Sequence, residues 1–88
     1  MNREHTIHSA ADLISGPRHA EYGPAQKNFQ RIAAGWAVIL DCDVQPHQVA
    51  LCMNWLKVAR LIHSPTSPDG WRDMVGYAAL GGELVDDE

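Results

Sequence analysis

Helix breakers divide this 88-residue chain into segments that each carry apolar residues at helical spacing. Gly16 and Pro17 end the first segment, and Pro46 and Pro68 begin the third and fourth. A glycine after the last turn and a proline in the first turn are typical helix punctuation. No segment shows the alternating apolar pattern of a strand. The sequence therefore predicts an all-α fold, a compact bundle of four helices at about 6–15, 24–40, 46–63 and 68–80.

The length of the chain predicts a single domain over residues 1–88, with the acidic stretch 83–88 as a disordered tail. A chain of this size buries only about 60% of the surface that its unfolded form exposes. Small domains often gain stability by covering a further face with a copy of themselves. We therefore expect a homo-oligomer.

Composition excludes several classes of protein. The formal net charge is −4, which argues against direct binding of nucleic acid. No apolar run approaches the roughly 20 residues of a membrane span, and the N-terminus lacks the apolar core of a signal peptide. Cys42 and Cys52 have neither zinc-site nor disulfide-framework spacing. These features predict free thiols, a cytoplasmic location and no membrane partner.

The helical projection predicts which faces are buried. The second helix has one apolar arc: Phe29, Ile32, Ala33, Trp36 and Leu40. The third is apolar nearly all round, with Val49, Met53 and Leu56 on one side and Leu51, Trp55, Val58 and Ile62 on the other. Such a helix is usually central or lies at a subunit interface. Arg60 projects between Val49, Met53 and Leu56, which predicts a buried charge.

The fourth helix is divided into two sides. The predicted core side holds Trp71, Met74, Val75 and Ala78, and the opposite side holds Asp69, Asp73, Gly76, Tyr77 and Leu80. Glycine inside a helix costs about 1 kcal/mol relative to alanine. Gly76 therefore indicates a close approach by another helix or by a ligand.

Four charged residues on the third and fourth helices are candidates for a common site: Lys57, Arg60, Asp69 and Asp73. They can form an interhelical ion-pair network, because a short loop makes the two helices antiparallel. Alternatively, Lys57 and Arg60 bind an anion, with Asp73 and Tyr77 as orienting groups. The sequence leaves both interpretations open.

A second polar cluster lies before the second helix. Arg18 and Tyr22 precede Gly23 and a helix N-terminus, where backbone amides favour anions. Asn28 lies at the edge of the apolar arc and either bonds this loop or contacts a ligand. An ordinary solvated loop is the competing interpretation.

Catalytic signatures are weak. Asp41 and Asp43 share a turn, and Asp69 and Asp73 share a helix, but no Glu-x2-Glu pair occurs. The histidines are dispersed, and no glycine-rich phosphate loop is present. We therefore predict neither a metal site nor a cofactor, and a binding module is favoured over an enzyme.

The combined motifs resemble a known family. They are Leu13-Ile14-Ser15-Gly16-x-Arg18-x3-Tyr22-Gly23, Asn28-Phe29-x2-Ile32-Ala33-x2-Trp36, Val49-Ala50-Leu51, Lys57-x-Ala59-Arg60 and Asp69-x-Trp71-x-Asp73-x2-Gly76-Tyr77-Ala78-Ala79-Leu80. This pattern is similar to a family of small uncharacterised proteins of tailed phages and prophages. More distantly, it resembles phage domains associated with nucleotide modification, and the four-helix plan is similar to all-α nucleoside triphosphate pyrophosphatases.

Three functions remain open at this point. The favoured hypothesis is a phage or prophage accessory module that binds a nucleotide or another phosphate-bearing ligand. Its site residues are Arg18, Tyr22, Asn28, Lys57, Arg60, Asp69, Asp73 and Tyr77. The second hypothesis is a magnesium-dependent nucleotide pyrophosphohydrolase. The third is a structural homo-oligomer or host-protein interaction module without a small ligand.

Overall fold

A computed structural model describes residues 1–16 and 24–88 of the chain. In this part of the chain the structure has four helices: α1 (Arg3–Ser15), α2 (Ala25–Leu40), α3 (Pro46–His63) and α4 (Pro68–Asp87). They form a compact helical bundle, and the described residues contain no strand. The predicted all-α class and the four-helix plan are confirmed.

Helices α3 and α4 form the central pair of the bundle and run antiparallel. Near one end, Leu61 lies against Gly70, and near the other Ala50 lies against Gly81. Helix α1 packs on α4, and α2 packs on α3. A short connection between α3 and α4 makes this hairpin the expected arrangement for adjacent helices.

The core lies where α2, the first half of α3 and the end of α4 meet. Its buried members are Phe29, Ala33, Val49, Ala50 and Leu84. Ile32 and Trp36 pack against this cluster as predicted, but Leu40 is exposed because α2 ends at that residue.

The core side predicted for α4 is wrong at Trp71 and Ala78, although Met74 and Val75 are half-buried. Tyr77 and Leu80 pack against the buried cluster, whereas Trp71 and Ala78 are exposed. Because α1 and α3 both cover α4, its buried surface is wider than one apolar arc. The buried Gly76 lies where a Cβ would come within 3.2 Å of Ile14 Cγ2, so the close neighbour there is a helix.

Helix α4 continues through the stretch predicted to be a disordered tail. It extends to Asp87, and Leu84 is buried in the core. Beyond it, a Glu88 carboxylate oxygen accepts a hydrogen bond from the His47 backbone N–H at 2.9 Å. Burial of Leu84 and this contact at the N-terminus of α3 hold the segment in place, since an anion there interacts favourably with the helix dipole.

Helix ends account for the remaining boundary differences. Helix α1 begins earlier than predicted because the Asn2 side chain accepts a hydrogen bond from the His5 N–H. This is the usual capping interaction of asparagine. Asp41 ends α2 in the left-handed conformation, at φ 56° and ψ 44°, which aspartate tolerates better than most residues.

Candidate ligand-binding cleft

A cleft of about 790 Å³ lies between α1 and α2 on one side and the α3–α4 pair on the other. Its walls are mainly apolar and include Ile14, Phe29, Trp36, Met53 and Leu80. Its polar lining includes Asn28, Arg72, Asp73, Tyr77 and Glu83. Small-ligand pockets commonly measure about 300–1,000 Å³ and combine apolar walls with few polar groups. We call this space the helical cleft.

An ion-pair cluster forms one edge of the helical cleft. Lys57 Nζ of α3 lies 2.9 Å from Asp73 Oδ2 of α4. Asp73 Oδ1 accepts hydrogen bonds from Arg72 Nη2 at 3.1 Å and Arg72 Nε at 3.2 Å. Arg72 Nη1 lies 3.4 Å from Asp69 Oδ1. Two cations and two carboxylates therefore share one cluster, Lys57, Asp69, Arg72 and Asp73.

Asp73 is the centre of this ion-pair cluster. Burial by itself would raise the pKa of Asp73, but hydrogen bonds from Lys57 and Arg72, together with their positive charges, lower the pKa below its ordinary value of 3.8. The carboxylate is therefore ionised near neutral pH and fixes both cations. Arg72 donates hydrogen bonds to Asp73 from Nε and Nη2, and its Nη1 makes only the longer ion-pair contact with Asp69. A guanidinium has five N–H donors, so Arg72 retains donors for a ligand.

Aromatic side chains lie beside the cluster in the same cleft. The rings of Phe29 and Tyr77 have centroids 6.4 Å apart and an interplanar angle of 42°. Trp36 extends the aromatic lining along α2. Asn28, one residue before Phe29, adds an amide that can donate and accept hydrogen bonds. Phe29 itself is buried in the core, so the cleft offers the half-buried rings of Trp36 and Tyr77, an amide and an arginine to one ligand.

The structure separates the predicted site residues into groups. Asn28, Asp73 and Tyr77 line the helical cleft. Lys57, Arg60 and Asp69 line a second groove between the end of α3 and the start of α4, and Lys57 joins the two regions through Asp73. The predictions for Arg18 and Tyr22 lie outside the described residues. Ser15 and Pro24, which flank that segment, both line the helical cleft.

The prediction that Arg60 is buried is wrong, because its side chain is exposed. The core cluster covers α3 only in its first half, at Val49, Ala50 and Met53. Near the end of α3 the guanidinium stays in water, which avoids a large desolvation cost and complements the helix dipole. Among the described residues, none forms an ion pair with Arg60.

Arg72 is the site residue that sequence reasoning missed. It occupies the place in the ion-pair cluster that Arg60 was expected to take. The signal was its spacing, since Asp69 and Arg72 are three residues apart on one helix and can therefore pair. Adjacent residues of a helix point in different directions, so the sequence does not predict that Arg72 pairs with Asp73.

Residues 5–85 match a family described as a domain of unknown function, DUF6378. The chain belongs to the DUF6378 family. A similar protein is the Gene 55 protein of Mycobacterium phage L5, 36% identical over 73 residues, which are 82% of this chain and 47% of that protein. The Gene 55 protein of Mycobacterium phage D29 is 33% identical over 75 residues, 85% of this chain and 50% of that protein. No solved structure matches.

This DUF6378 chain spans about half the length of the curated relatives it matches. The predicted resemblance to a family of small phage proteins is confirmed at that level. The link to nucleotide modification stays a prediction.

Three further findings concern residues 1–16 and 24–88. No three His, Cys, Asp or Glu side chains are arranged to hold a metal ion. None of the four helices is long and apolar enough to cross a membrane. Cys42 and Cys52 are free and exposed.

Proposed function

We propose that this DUF6378 protein is a phage or prophage accessory module that binds a nucleotide, or another phosphate-bearing compound with an aromatic group, in the helical cleft. The observation that carries this proposal is the presence of Arg72, held by Asp73, in the same cleft as the half-buried rings of Trp36 and Tyr77. A heterocyclic base stacks on aromatic side chains, and a guanidinium binds phosphate through paired N–H groups.

Asp73 acts in this proposal as a positioning residue. It holds Arg72 of α4 and Lys57 of α3 in place. Arg72 therefore contacts the ligand with little further loss of side-chain freedom. Asn28 supplies base recognition through its amide, and Tyr77 supplies a ring and a hydroxyl. Arg18 and Tyr22, which the sequence also predicts to bind the ligand, remain part of the proposal, with Arg18 as a phosphate contact.

Size and charge favour a mononucleotide over a nucleic acid. The cleft is of small-ligand size, and the whole chain has a net charge of −4. A polyanion would be repelled by the overall charge, whereas one phosphate needs only a local cation.

Calorimetry and thermal-shift measurements with nucleotides and inorganic phosphates, with and without magnesium, test this function. A ligand at about 100 times its dissociation constant adds roughly 2.7 kcal/mol of stability. We expect only some of these compounds to raise the midpoint of thermal unfolding. Arg72→Met should weaken their affinity about tenfold or more, because it removes charge-assisted hydrogen bonds to the ligand.

Two other arginines serve as controls. Arg31 is exposed on α2 and does not line the cleft, so Arg31→Met is expected to bind as the parent does. Arg60 lines the second groove, so Arg60→Met separates the two sites. Loss of binding in Arg60→Met with full binding in Arg72→Met would move the site to that groove. No shift with any compound would remove the proposal.

The pyrophosphohydrolase hypothesis has less support. A catalytic magnesium needs carboxylate oxygens that are available to the metal. Both oxygens of Asp73 are instead engaged by Lys57 and Arg72. A binding function is therefore the one that we propose.

A further inference from the structure

Helix α3 carries an apolar stripe on the side that faces away from the core. Leu51, Trp55 and Ile62 are 63%, 73% and 79% exposed, and Val58 lies between them on the same face, half-buried. We call these four residues the outer stripe. The largest exposed apolar patch on a soluble protein often marks an interaction site.

One flank of the outer stripe is uncharged. On the helical projection it carries Gln48, Cys52, Ala59 and His63, all exposed. The other flank carries the half-buried Asn54 and His47, and His47 pairs with the Glu88 carboxylate at the start of α3. Every residue of α3 is described, and none of its Lys and Arg residues projects onto this face. Lys57 and Arg60 instead lie toward α4 and toward the far side of the helix. A solvated helix face normally carries charge, so this face is suited to burial.

The spacing of the outer stripe reads the same in both directions. Its residues are separated by four, three and four positions. Two copies of α3 that pack antiparallel therefore bring position 51 opposite position 62 of the second copy, and position 55 opposite position 58. The large Trp55 then faces the smaller Val58, a pairing of large and small side chains that fills an interface well. Spacings of three and four produce a continuous helix–helix seam.

We propose that the outer stripe is a homodimer interface, in which α3 packs antiparallel against α3 of a second copy of this chain about a two-fold axis. A two-fold axis applies one patch to itself, which the symmetric spacing satisfies. Leu51, Trp55 and Ile62 together expose on the order of 400 Å² per protomer, since one aromatic side chain can bury about 150–250 Å². With the flanking residues of α3, an 18-residue helix, the total from both copies approaches the about 1,200 Å² at which stable interfaces begin.

Sedimentation and light scattering of the purified chain test the interface, with two matched variants. Ile62 and Ile39 are both 79% exposed and each lies in the last turn of its helix, on α3 and α2 respectively. The parent is expected at twice the monomer mass of 9.7 kDa. Ile62→Lys should halve the mass, whereas Ile39→Lys should leave it unchanged, with unchanged helical circular dichroism in both.

Other outcomes overturn the proposal. A monomeric parent at all concentrations would show that the stripe does not pair with itself. Dissociation by Ile39→Lys alone, or by both variants equally, would place the association elsewhere or show that it is non-specific.

A charge-swap pair tests the antiparallel register. Leu51→Glu and Ile62→Lys should each weaken the dimer, and the double variant should restore it, because the new carboxylate at position 51 faces the new ammonium at position 62 of the second copy. In a parallel arrangement each position faces the same position of the second copy, so like charges meet. That arrangement predicts that the double variant does not recover the dimer. A double variant that stays monomeric while both singles are folded would overturn the antiparallel register. None of these measurements depends on a ligand in the helical cleft.

Discussion

Asp73 shows how one carboxylate couples two helices. It joins Lys57 of α3 to Arg72 of α4, and its own side chain is only 19% exposed. A half-buried carboxylate without its cations would be costly, and cations without the carboxylate would be equally unfavourable. The residue therefore contributes to stability as well as to the proposed positioning of Arg72.

Replacing Asp73 with asparagine is expected to destabilise the fold by about 1–2 kcal/mol at pH 7, because it removes charge-assisted hydrogen bonds in a partly screened site. The lowered pKa of Asp73 gives the effect a pH dependence. A carboxyl group whose pKa is lower in the folded than in the unfolded protein stabilises the fold at pH values above its unfolded-state pKa. This contribution is lost as the pH falls through the folded-state pKa.

Urea unfolding of parent and Asp73→Asn at several pH values measures this effect. The difference in the free energy of unfolding should be largest near neutral pH and shrink below about pH 4. An exposed aspartate on the loop after α2, Asp43, provides the control variant Asp43→Asn. A difference between parent and Asp73→Asn that stays constant down to pH 3 would contradict the assigned role.

At the scale of single helices, the α3–α4 contact depends on small residues. A Cβ at Gly70 would lie 2.7 Å from Leu61 Cδ2 and 3.0 Å from Leu61 Cγ. Leu61 is buried, so it has little room to move. A Cβ at Gly82, in the same helix, would meet nothing within 4 Å among the described residues.

Two alanine substitutions in α4 should therefore have opposite effects. Gly82→Ala is expected to stabilise by up to about 1 kcal/mol through helix propensity. Gly70 lies in the first turn of α4, where the propensity gain is smaller, and Gly70→Ala overpacks the contact with Leu61, which typically costs about 1–3 kcal/mol. We expect a net loss for Gly70→Ala, measured as a lower midpoint of thermal unfolding. Equal stabilisation by both variants would contradict this packing.

At the scale of the whole molecule, the C-terminal part of α4 completes the core. Leu84 is 3% exposed and packs with Phe29 and Ala33 of α2 and with Val49 of α3. It therefore links three helices at one point. Residues that read as an acidic tail are structural for this reason.

Leu84→Ala is expected to lower the free energy of unfolding by about 2–4 kcal/mol, because it leaves a cavity in a close-packed cluster. The adjacent Val85 is exposed, so Val85→Ala should change the free energy of unfolding by no more than about 0.5 kcal/mol. Chemical unfolding of the two variants measures both values. Similar small effects would show that the end of α4 is not part of the core.

The sequence predicted some residues of the candidate site but not others. Asn28, Asp73 and Tyr77 lie in the cleft, and Lys57 pairs with Asp73 across the hairpin. Arg72 and the exposure of Arg60 were not predicted, because a helical projection gives the angle of a side chain but not the extent of the neighbouring helices. The residue of α3 at which its cover by α2 ends is set by the packing of the whole bundle.

The sequence by itself determined the helical class and most helix ends, because proline, glycine and apolar spacing act within a few residues of the chain. Only the tertiary structure decided that α4 has Tyr77, Leu80 and Leu84 in its core side, that Leu84 continues the core into an acidic stretch, and that the outer stripe of α3 remains uncovered. Burial depends on which helices pack together and over what length. That information lies in contacts between residues distant in sequence, which local periodicity does not contain.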